Sequence, residues 1–180
     1  MKNARRFQAA MAIAALAFAG CSGKQNVPVK ETVEEKPSAP KLLSLVNMGD
    51  LKGATQLVNG FYPIEANAWR WTSKDFSVNL RPPIGAAAQG AVLNFAFSFP
   101  QVAVDKLHSV TVSATVNGTA LAPQTYSAEG QAEYKRDIAS NLLSGDSVRV
   151  DFHLDKAMPP GNGDMRQLGV IARSVGLDAK

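Results

Sequence analysis

The sequence predicts an all-β fold, an antiparallel β-sandwich of jelly-roll type, and two observations carry this prediction. Apolar and polar residues alternate with a period of two in four segments, which places each apolar set on one face of a strand. Turn residues separate these segments, above all Asn117-Gly118, because both residues accept a positive φ. Several half-buried strands of this kind form two sheets that cover each other's apolar faces. An immunoglobulin-like sandwich is the alternative, and alternation alone does not separate the two topologies.

The four alternating segments lie between residues 76 and 154. Their predicted inward residues are Phe76, Val78 and Leu80 in the first; Leu93, Phe95, Phe97 and Phe99 in the second; Val110, Val112, Ala114 and Val116 in the third; and Val148, Val150, Phe152 and Leu154 in the fourth. A Pro-Pro-Ile-Gly run at 82–85 ends the first segment, and Ser-Gly-Asp at 144–146 introduces the fourth. We expect one helical turn within residues 138–143, and no long amphipathic helix after the first 20 residues.

The chain is expected to have three parts: a signal peptide at 1–20, a tether at 21–55 and a β-sandwich domain at 56–180. The tether mixes charges with three prolines and has few large apolar residues, which is typical of a disordered, extended linker. Within it, residues 42–46 could form a short helix, a strand or a hydrophobic lead-in. The domain has a normal size for a single core.

The first residues carry three basic side chains and no acid, followed by an apolar run at 9–19. This run is shorter than the ~20 apolar residues that span a bilayer, so the pattern predicts a secretory signal. Small residues at 19–20 precede Cys21, which is the only cysteine of the chain.

The segment Ala17-Phe18-Ala19-Gly20-Cys21 resembles the lipobox of bacterial lipoproteins. This resemblance implies diacylglycerol on the Cys21 thiol, cleavage after Gly20 and acylation of the new amino terminus by a fatty acid such as palmitate. Ser22, which follows the lipid site, implies export to the outer membrane, with the domain facing either the periplasm or the cell surface. The alternative is an ordinary secretory signal with an incidental cysteine.

The charge balance argues against a nucleic-acid partner. The precursor has 19 Lys and Arg against 15 Asp and Glu, and removal of residues 1–20 takes away three bases and no acid. The mature chain therefore keeps 16 bases and 15 acids, without the clustered Lys and Arg that a nucleic-acid surface needs.

Two further segments carry a resemblance, namely Gly-Phe-Tyr-Pro-Ile-Glu at 60–65 with Trp-Arg-Trp-Thr at 69–72, and Gly-Asp-Met-Arg-Gln-Leu-Gly-Val at 163–170. Together they resemble the small β-sandwich domains of uncharacterised bacterial envelope lipoproteins, and similar domains appended to some bacterial glycosyltransferases. The resemblance implies a jelly-roll-like fold and an association with carbohydrate.

These segments supply the candidate ligand-binding residues, which are Glu65, Trp69, Arg70, Trp71, Asp164 and Arg166. The two tryptophans could stack on sugar rings, or at least one of them could fill the core. If the first and last strands are neighbours, Glu65 meets Arg166 and Arg70 meets Asp164. The four charged residues would then hydrogen-bond glycan hydroxyls, or form a structural ion-pair network, which we favour.

A few other polar residues have weaker claims to a site. Asn94, Ser98, Thr111 and Ser113 could line a concave sheet face or a merely solvated one, and the loop at 156–163 could bind or simply connect. The two histidines, His108 and His153, lie on separate segments and have no metal-ligand spacing.

The sequence shows no motif for catalysis. It has no nucleophile elbow, and it gives no separation for Glu65 and Asp164 as a glycosidase pair. We therefore predict a non-enzyme without metal or cofactor: a lipid-anchored binding module for carbohydrate. The alternative is a structural or accessory subunit that binds a protein partner in the cell envelope.

Overall fold

A computed structural model describes residues 41–161 and 163–180. The described chain contains ten strands, two short α-helices and two 3₁₀ helices. The strands are β1 (Leu45–Asn47), β2 (Leu57–Phe61), β3 (Arg70–Leu80), β4 (Ala91–Phe99), β5 (Val110–Val116), β6 (Thr119–Ala120), β7 (Gln124–Tyr126), β8 (Gly130–Ile138), β9 (Val148–Leu154) and β10 (Ile171–Ala179). The α-helices are α1 (Ala86–Gln89) and α2 (Gln101–Leu107), and the 3₁₀ helices span Leu51–Gln56 and Ser140–Leu142. None of these described helices is long and apolar enough to cross a membrane.

The strands form two antiparallel sheets with the topology of a jelly roll. The first sheet has the order β1-β10-β4-β8, and the second has the order β2-β3-β9-β5, with β6 and β7 paired to β5. The long strands β3, β4, β5, β8, β9 and β10 alternate between the two sheets along the chain. This alternation is the double-sheet arrangement of a jelly roll, so the predicted fold class is confirmed and the immunoglobulin-like alternative is not the observed one.

One strand belongs to both sheets. The start of β3 pairs with β10, Trp71 opposite Ile171, and the rest of β3 from Asp75 onward pairs with β9. Strand β10 also pairs with β4 in the first sheet. The two sheets are therefore joined at the corner where β3 and β10, the first and last long strands, meet. The expectation that the two ends of the domain lie together is met here.

The core lies between the two sheets, as the alternation predicts. Phe95 of the first sheet contacts Phe76 and Phe152 of the second, with ring centroids 5.4 and 4.9 Å away. All residues predicted to face inward are at most 3% exposed. Burial of a Phe, Leu or Val side chain contributes roughly 1.5–3 kcal/mol, so the inward residues of these four strands make a large contribution to stability.

The predicted turns are also observed. Asn117 and Gly118 have φ values of 47° and 83° and connect β5 to β6, with Val116 opposite Thr119. The helical turn expected within 138–143 is the 3₁₀ helix at Ser140–Leu142. It follows β8 and carries the chain back toward β9.

The packed domain begins earlier than the predicted boundary at residue 56. Strand β1 pairs with β10, and Val46 and Met48 are buried in the core. The Gln56 side chain accepts a hydrogen bond from the Leu43 backbone N–H and donates one to the Leu43 carbonyl. Its Nε2 also donates to the Asn79 carbonyl at 2.7 Å, which links residue 43 to the end of β3. Residues 45–55, which the predicted boundary at residue 56 places in the tether, are therefore part of the sandwich. The signal peptide, Cys21 and residues 21–40 of the tether lie outside the described residues.

Candidate functional site

Three of the predicted site residues form an ion-pair network, which we call the Arg166 clasp: Glu65, Asp164 and Arg166. The Arg166 guanidinium grips Asp164 with two parallel bonds, Nε to Oδ1 at 3.0 Å and Nη2 to Oδ2 at 2.8 Å. Its Nη1 donates to Oε1 of Glu65 at 2.7 Å. The clasp ties the segment after β2 to the segment before β10, as the sequence predicts for Glu65 and Arg166.

The electrostatics of the clasp are those of a fixed network. Bonds from the Arg166 side chain, and then from its backbone N–H at 2.9 Å, lower the pKa of Asp164 to about 2. The two carboxylates raise the pKa of Arg166 above its usual range. The guanidinium also lies 5.2 Å from the ring centroid of Tyr62, whose hydroxyl donates to the Gln167 carbonyl at 2.9 Å. All three side-chain nitrogens of Arg166 therefore donate to carboxylates of the protein itself.

Arg70 is not part of this clasp. Its Nε donates to the Met48 carbonyl at 3.2 Å and its Nη1 to the Tyr62 carbonyl at 3.0 Å, and no ion pair joins it to Asp164. Burial lowers the pKa of Arg70, whose residue is only 9% exposed. The expected Arg70–Asp164 pair is therefore wrong, because this guanidinium is used to satisfy two backbone carbonyls.

The two tryptophans do not make a flat platform. Their ring centroids lie 6.1 Å apart with an interplanar angle of 85°, so the edge of one ring meets the face of the other. Trp71 is 8% exposed and belongs to the core, which confirms the prediction that at least one tryptophan is core. Trp69 is partly buried and packs against that core.

A cavity of about 440 Å³ lies elsewhere, on the outer face of the second sheet. We call it the β9 groove, because β9 forms its floor. Its polar lining consists of Asn59, Asp75, Ser113, Thr115, Asp151 and His153. Ala120 and Leu121, which follow the β5–β6 turn, add apolar atoms at one wall.

The strand register explains why these polar groups converge. Asp75, His153 and Ser113 stand opposite one another across β3, β9 and β5. Two residues along each strand, Ser77, Asp151 and Thr115 form the next row. A period of two turns both rows outward while Phe76 and Phe152, which lie between them, enter the core.

A glycine positions the other wall of the groove. Gly60 has a φ of 72°, and a Cβ there would meet the Asp75 carbonyl oxygen at 2.0 Å. Only glycine allows this close approach of β2 to β3. Asn59 is thereby placed opposite Ser77, and the Ser77 hydroxyl donates to its Oδ1.

Hydrogen bonds fix the groove's charged side chains and leave acceptors open. His153 Nδ1 lies 2.6 Å from Asp75 Oδ1, and Arg149 Nε donates to Asp151 Oδ1 at 2.8 Å. Arg149 Nη2 donates to Ser77 Oγ at 3.2 Å. Within the described part of the chain, no group hydrogen-bonds Oδ2 of Asp75 or of Asp151. Two fixed carboxylates thus each present one free acceptor oxygen.

Sequence reasoning reached only part of this groove. Ser113 is in it, whereas Thr111 lies one row further and bonds Thr125, and Asn94 and Ser98 are on the outer face of the first sheet. The polar positions of the alternating segments were the available signal for Asp75 and Asp151. His153 is likewise a polar position of an alternating segment. Across residues 41–161 and 163–180, no group of three or more His, Cys, Asp or Glu could hold a metal ion.

Comparison with known proteins yields no relative by sequence. No family model matches the chain, and no curated protein matches it. Nine solved chains are similar in structure. Three of them share 9–14% sequence identity with this chain. The CBM36-1 domain of a multidomain xylanase from the hindgut metagenome of Trinervitermes trinervoides matches with a TM-score of 0.34 and 10% identity, over 57% of this chain and 69% of that one.

In two further cases the matched region is part of a longer chain. An acetyl xylan esterase, Est2A, from the rumen bacterium Butyrivibrio proteoclasticus matches with a TM-score of 0.43 and 9% identity, over 77% of this chain and 34% of that one. The structure of CBM51-2 in complex with GlcNAc and INT domains from Clostridium perfringens ZmpB matches with a TM-score of 0.34 and 14% identity, over 75% and 28%. All these TM-scores lie below 0.5, so the jelly-roll assignment rests on the strand order alone.

Proposed function

We propose that this chain is a non-catalytic, carbohydrate-binding module held on the outer membrane by lipid on Cys21. The observation that carries the proposal is the β9 groove, an open cavity of about 440 Å³ on the outer face of the second sheet. Its volume lies in the range of ~300–1,000 Å³ typical of small-molecule sites. Its lining combines a mostly apolar surface with several polar side chains, a mixture that suits a sugar unit, whose ring has C–H faces and hydroxyl edges.

The polar groups of the groove suit the hydroxyls of a sugar. The free Oδ2 atoms of Asp75 and Asp151 are charged acceptors, and hydrogen bonds to charged acceptors are shorter and stronger than neutral ones. Thr115 adds a hydroxyl that can both donate and accept. The Ser113 hydroxyl donates to the His153 carbonyl at 3.1 Å and adds an acceptor. Leu121 offers the apolar contact that the C–H face of a sugar ring needs.

The Arg166 clasp supports a non-catalytic role. A glycosidase needs one carboxyl group that keeps a proton near neutral pH, which calls for a raised pKa. The pKa of Asp164 is instead lowered to about 2, and the same guanidinium holds Glu65. This arrangement suits a structural tie between the chain ends.

A second candidate function is an accessory subunit that binds a protein partner in the envelope. It is favoured by exposed apolar side chains around β1 and β2: Leu45 is 49% exposed, Leu51 74% and Val58 43%. Exposed apolar patches mark protein-interaction surfaces, and these three residues come from consecutive elements of the chain. The groove has the more specific chemistry, so we place carbohydrate first.

The membrane anchor rests on the lipobox-like segment that ends at Cys21. Two or more acyl chains hold a protein stably on a bilayer, whereas one is marginal. Cys21→Ser should abolish the incorporation of labelled fatty acid and release the chain from the membrane fraction. Labelling of the Ser variant would contradict the assignment.

Glycan binding is tested by applying the full chain, purified in detergent, to an array of bacterial and plant glycans. We expect retention on a limited set of glycans, competed by the same free oligosaccharide. Absence of retention on every glycan, with capture of an envelope protein at the surface around Leu45 and Leu51, would favour the accessory-subunit function instead.

A further inference from the structure

The charges around the β9 groove point to one class of glycan. We propose that the groove takes glycan units without negative charge and favours those that carry a free amino group. This inference rests on the proposed function and deepens it, because it names the charge of the ligand at the same site.

The outer face of the second sheet is acidic although the chain as a whole is not. Asp75 and Asp151 line the groove, and Asp155 stands one row away, where its Oδ1 accepts the Thr111 backbone N–H at 2.6 Å. Arg149 is a basic residue on this face, and it donates hydrogen bonds to Asp151 and Ser77. The calculated pI of about 9.3 therefore says nothing about what this groove accepts.

Arg149 already binds side chains of the protein itself. Its Nε and Nη2 atoms both reach Asp151 Oδ1 at 2.8 Å, and Nη2 also donates to Ser77. Asp75 has His153 as its partner, which is a full counter-charge only when the imidazole is protonated. A cationic group entering the groove therefore meets the free Oδ2 of Asp75. A ligand carboxylate or sulfate would meet two acids, and the described residues that line the groove include no Lys or Arg.

Asp75 and Asp151 are close enough for one ligand group to contact both. Asp75 and Asp151 occupy diagonal positions on adjacent strands, which lie ~7–8 Å apart, so one sugar unit can contact both. Leu121 and the strand floor restrict water on one side of the groove. The side chains of Asp75 and Asp151 are 68% and 40% exposed, so their attraction for a cationic ligand group is modest and depends on salt.

The test measures binding of the full chain in detergent to equally linked short oligomers of glucosamine, glucose and glucuronic acid at neutral pH, by calorimetry at low and moderate salt. We expect glucosamine oligomers to bind about tenfold more tightly than glucose oligomers, and glucuronic acid oligomers to bind least. The preference for glucosamine should shrink as salt rises, because salt screens charge pairs.

Two variants locate the preference. Asp75→Asn should reduce the ratio of glucosamine to glucose affinity to near one, while Asp178→Asn, an exposed change on β10 of the other sheet, should leave the ratio unchanged. Equal affinity for the glucosamine and glucose oligomers, or tightest binding of glucuronic acid, would overturn this inference and leave the proposed function standing. If no oligomer of any charge binds and the glycan array is also empty, the proposed function itself fails.

Discussion

The Nη1 atom of Arg166 donates a 2.7 Å hydrogen bond to Oε1 of Glu65, across 101 positions of sequence. This bond closes the corner at which the first and last long strands meet. The same guanidinium holds Asp164 with two parallel bonds, so a single side chain joins both ends of the sandwich. The side chains of the clasp are about one-third exposed, at 32% for Arg166 and 34% for Glu65, which moderates what each bond contributes.

Arg166→Ala should lower the free energy of unfolding by roughly 1–2 kcal/mol, because it removes the charged bonds to Glu65 and Asp164 and leaves Asp164 with only the backbone N–H of residue 166. Arg166→Lys should recover only part of this loss, since an ammonium cannot reproduce the forked geometry. Chemical denaturation measures both changes. Lys135→Ala, which breaks an exposed pair with Glu133, is the control and should change little. If Arg166→Ala is as stable as the wild type and loses a measured glycan affinity, the clasp is a binding site and not a structural tie.

The clasp should also produce a defined acid response. The pKa of Asp164 is lowered from 3.8 to about 2 in the folded protein, so its contribution is complete above pH 3.8 and is lost as the pH falls toward 2. The stability difference between the wild type and Asp164→Asn should therefore be constant above about pH 5 and shrink between about pH 4 and 2. Melting temperatures across this range provide the measurement. A difference that stays constant down to pH 2 would contradict the lowered pKa.

Strand orientation is tested by two neighbouring residues of β4. Phe97 is 0% exposed and its ring stacks 5.0 Å from Phe95, whereas Ser98 faces outward beside Gln131. Phe97→Asp should cost more than ~4 kcal/mol because it places an unpaired carboxylate in the core. Ser98→Asp should change stability by less than ~0.5 kcal/mol. Similar losses for the two variants would show that β4 does not face as described.

Trp71→Ala should cost ~3–5 kcal/mol of folding free energy, as expected for removal of a core indole. It should not change glycan affinity at temperatures where the variant remains folded. Thermal denaturation and binding, measured on the same preparation, separate these effects. A stable variant with lost affinity would show that Trp71 contacts the ligand.

The sequence predicted β3, β4, β5 and β9 because their signal is local. It did not predict the nine-residue strands β8 and β10, because β8 buries few of its residues and a register shift between Ala172 and Ser174 interrupts the alternation of β10. Each buried position of β4 and β5 is visible as alternation within nine residues or fewer. Strand β1 escaped detection because three residues are too few for a period to be read, and its stability comes from pairing with β10 far along the chain. The partners of Arg70 also could not be read, because they are backbone carbonyls, which every residue carries.

The groove required knowledge of register. Asp75, Ser113 and His153 lie on three different strands, and only the pairing of β3 with β9 and of β9 with β5 brings them together. Their outward direction follows from alternation, but their convergence does not. The clasp was easier to foresee, because it needs only that the two ends of the domain be neighbours.

The position of the binding site is tested by one substitution made on each sheet. Ser113 lies on β5 within the β9 groove, opposite His153, and its hydroxyl donates to the His153 carbonyl at 3.1 Å. Ser98 lies on β4 at an equivalent outward position on the other sheet. Phenylalanine is well tolerated in strands, so Ser113→Phe and Ser98→Phe should both keep melting temperatures close to that of the wild type.

Their effects on binding should nevertheless differ. The ring at 113 would occupy the floor of the groove between Asp75 and Leu121, and would cover the acceptors on which a sugar hydroxyl depends. We expect Ser113→Phe to weaken glycan binding at least about tenfold, which corresponds to ~1.4 kcal/mol, while Ser98→Phe keeps the wild-type affinity. Calorimetry with a glycan retained on the array measures both. If Ser98→Phe loses affinity and Ser113→Phe does not, the ligand binds on the first sheet, and the groove on the second sheet has no part in it.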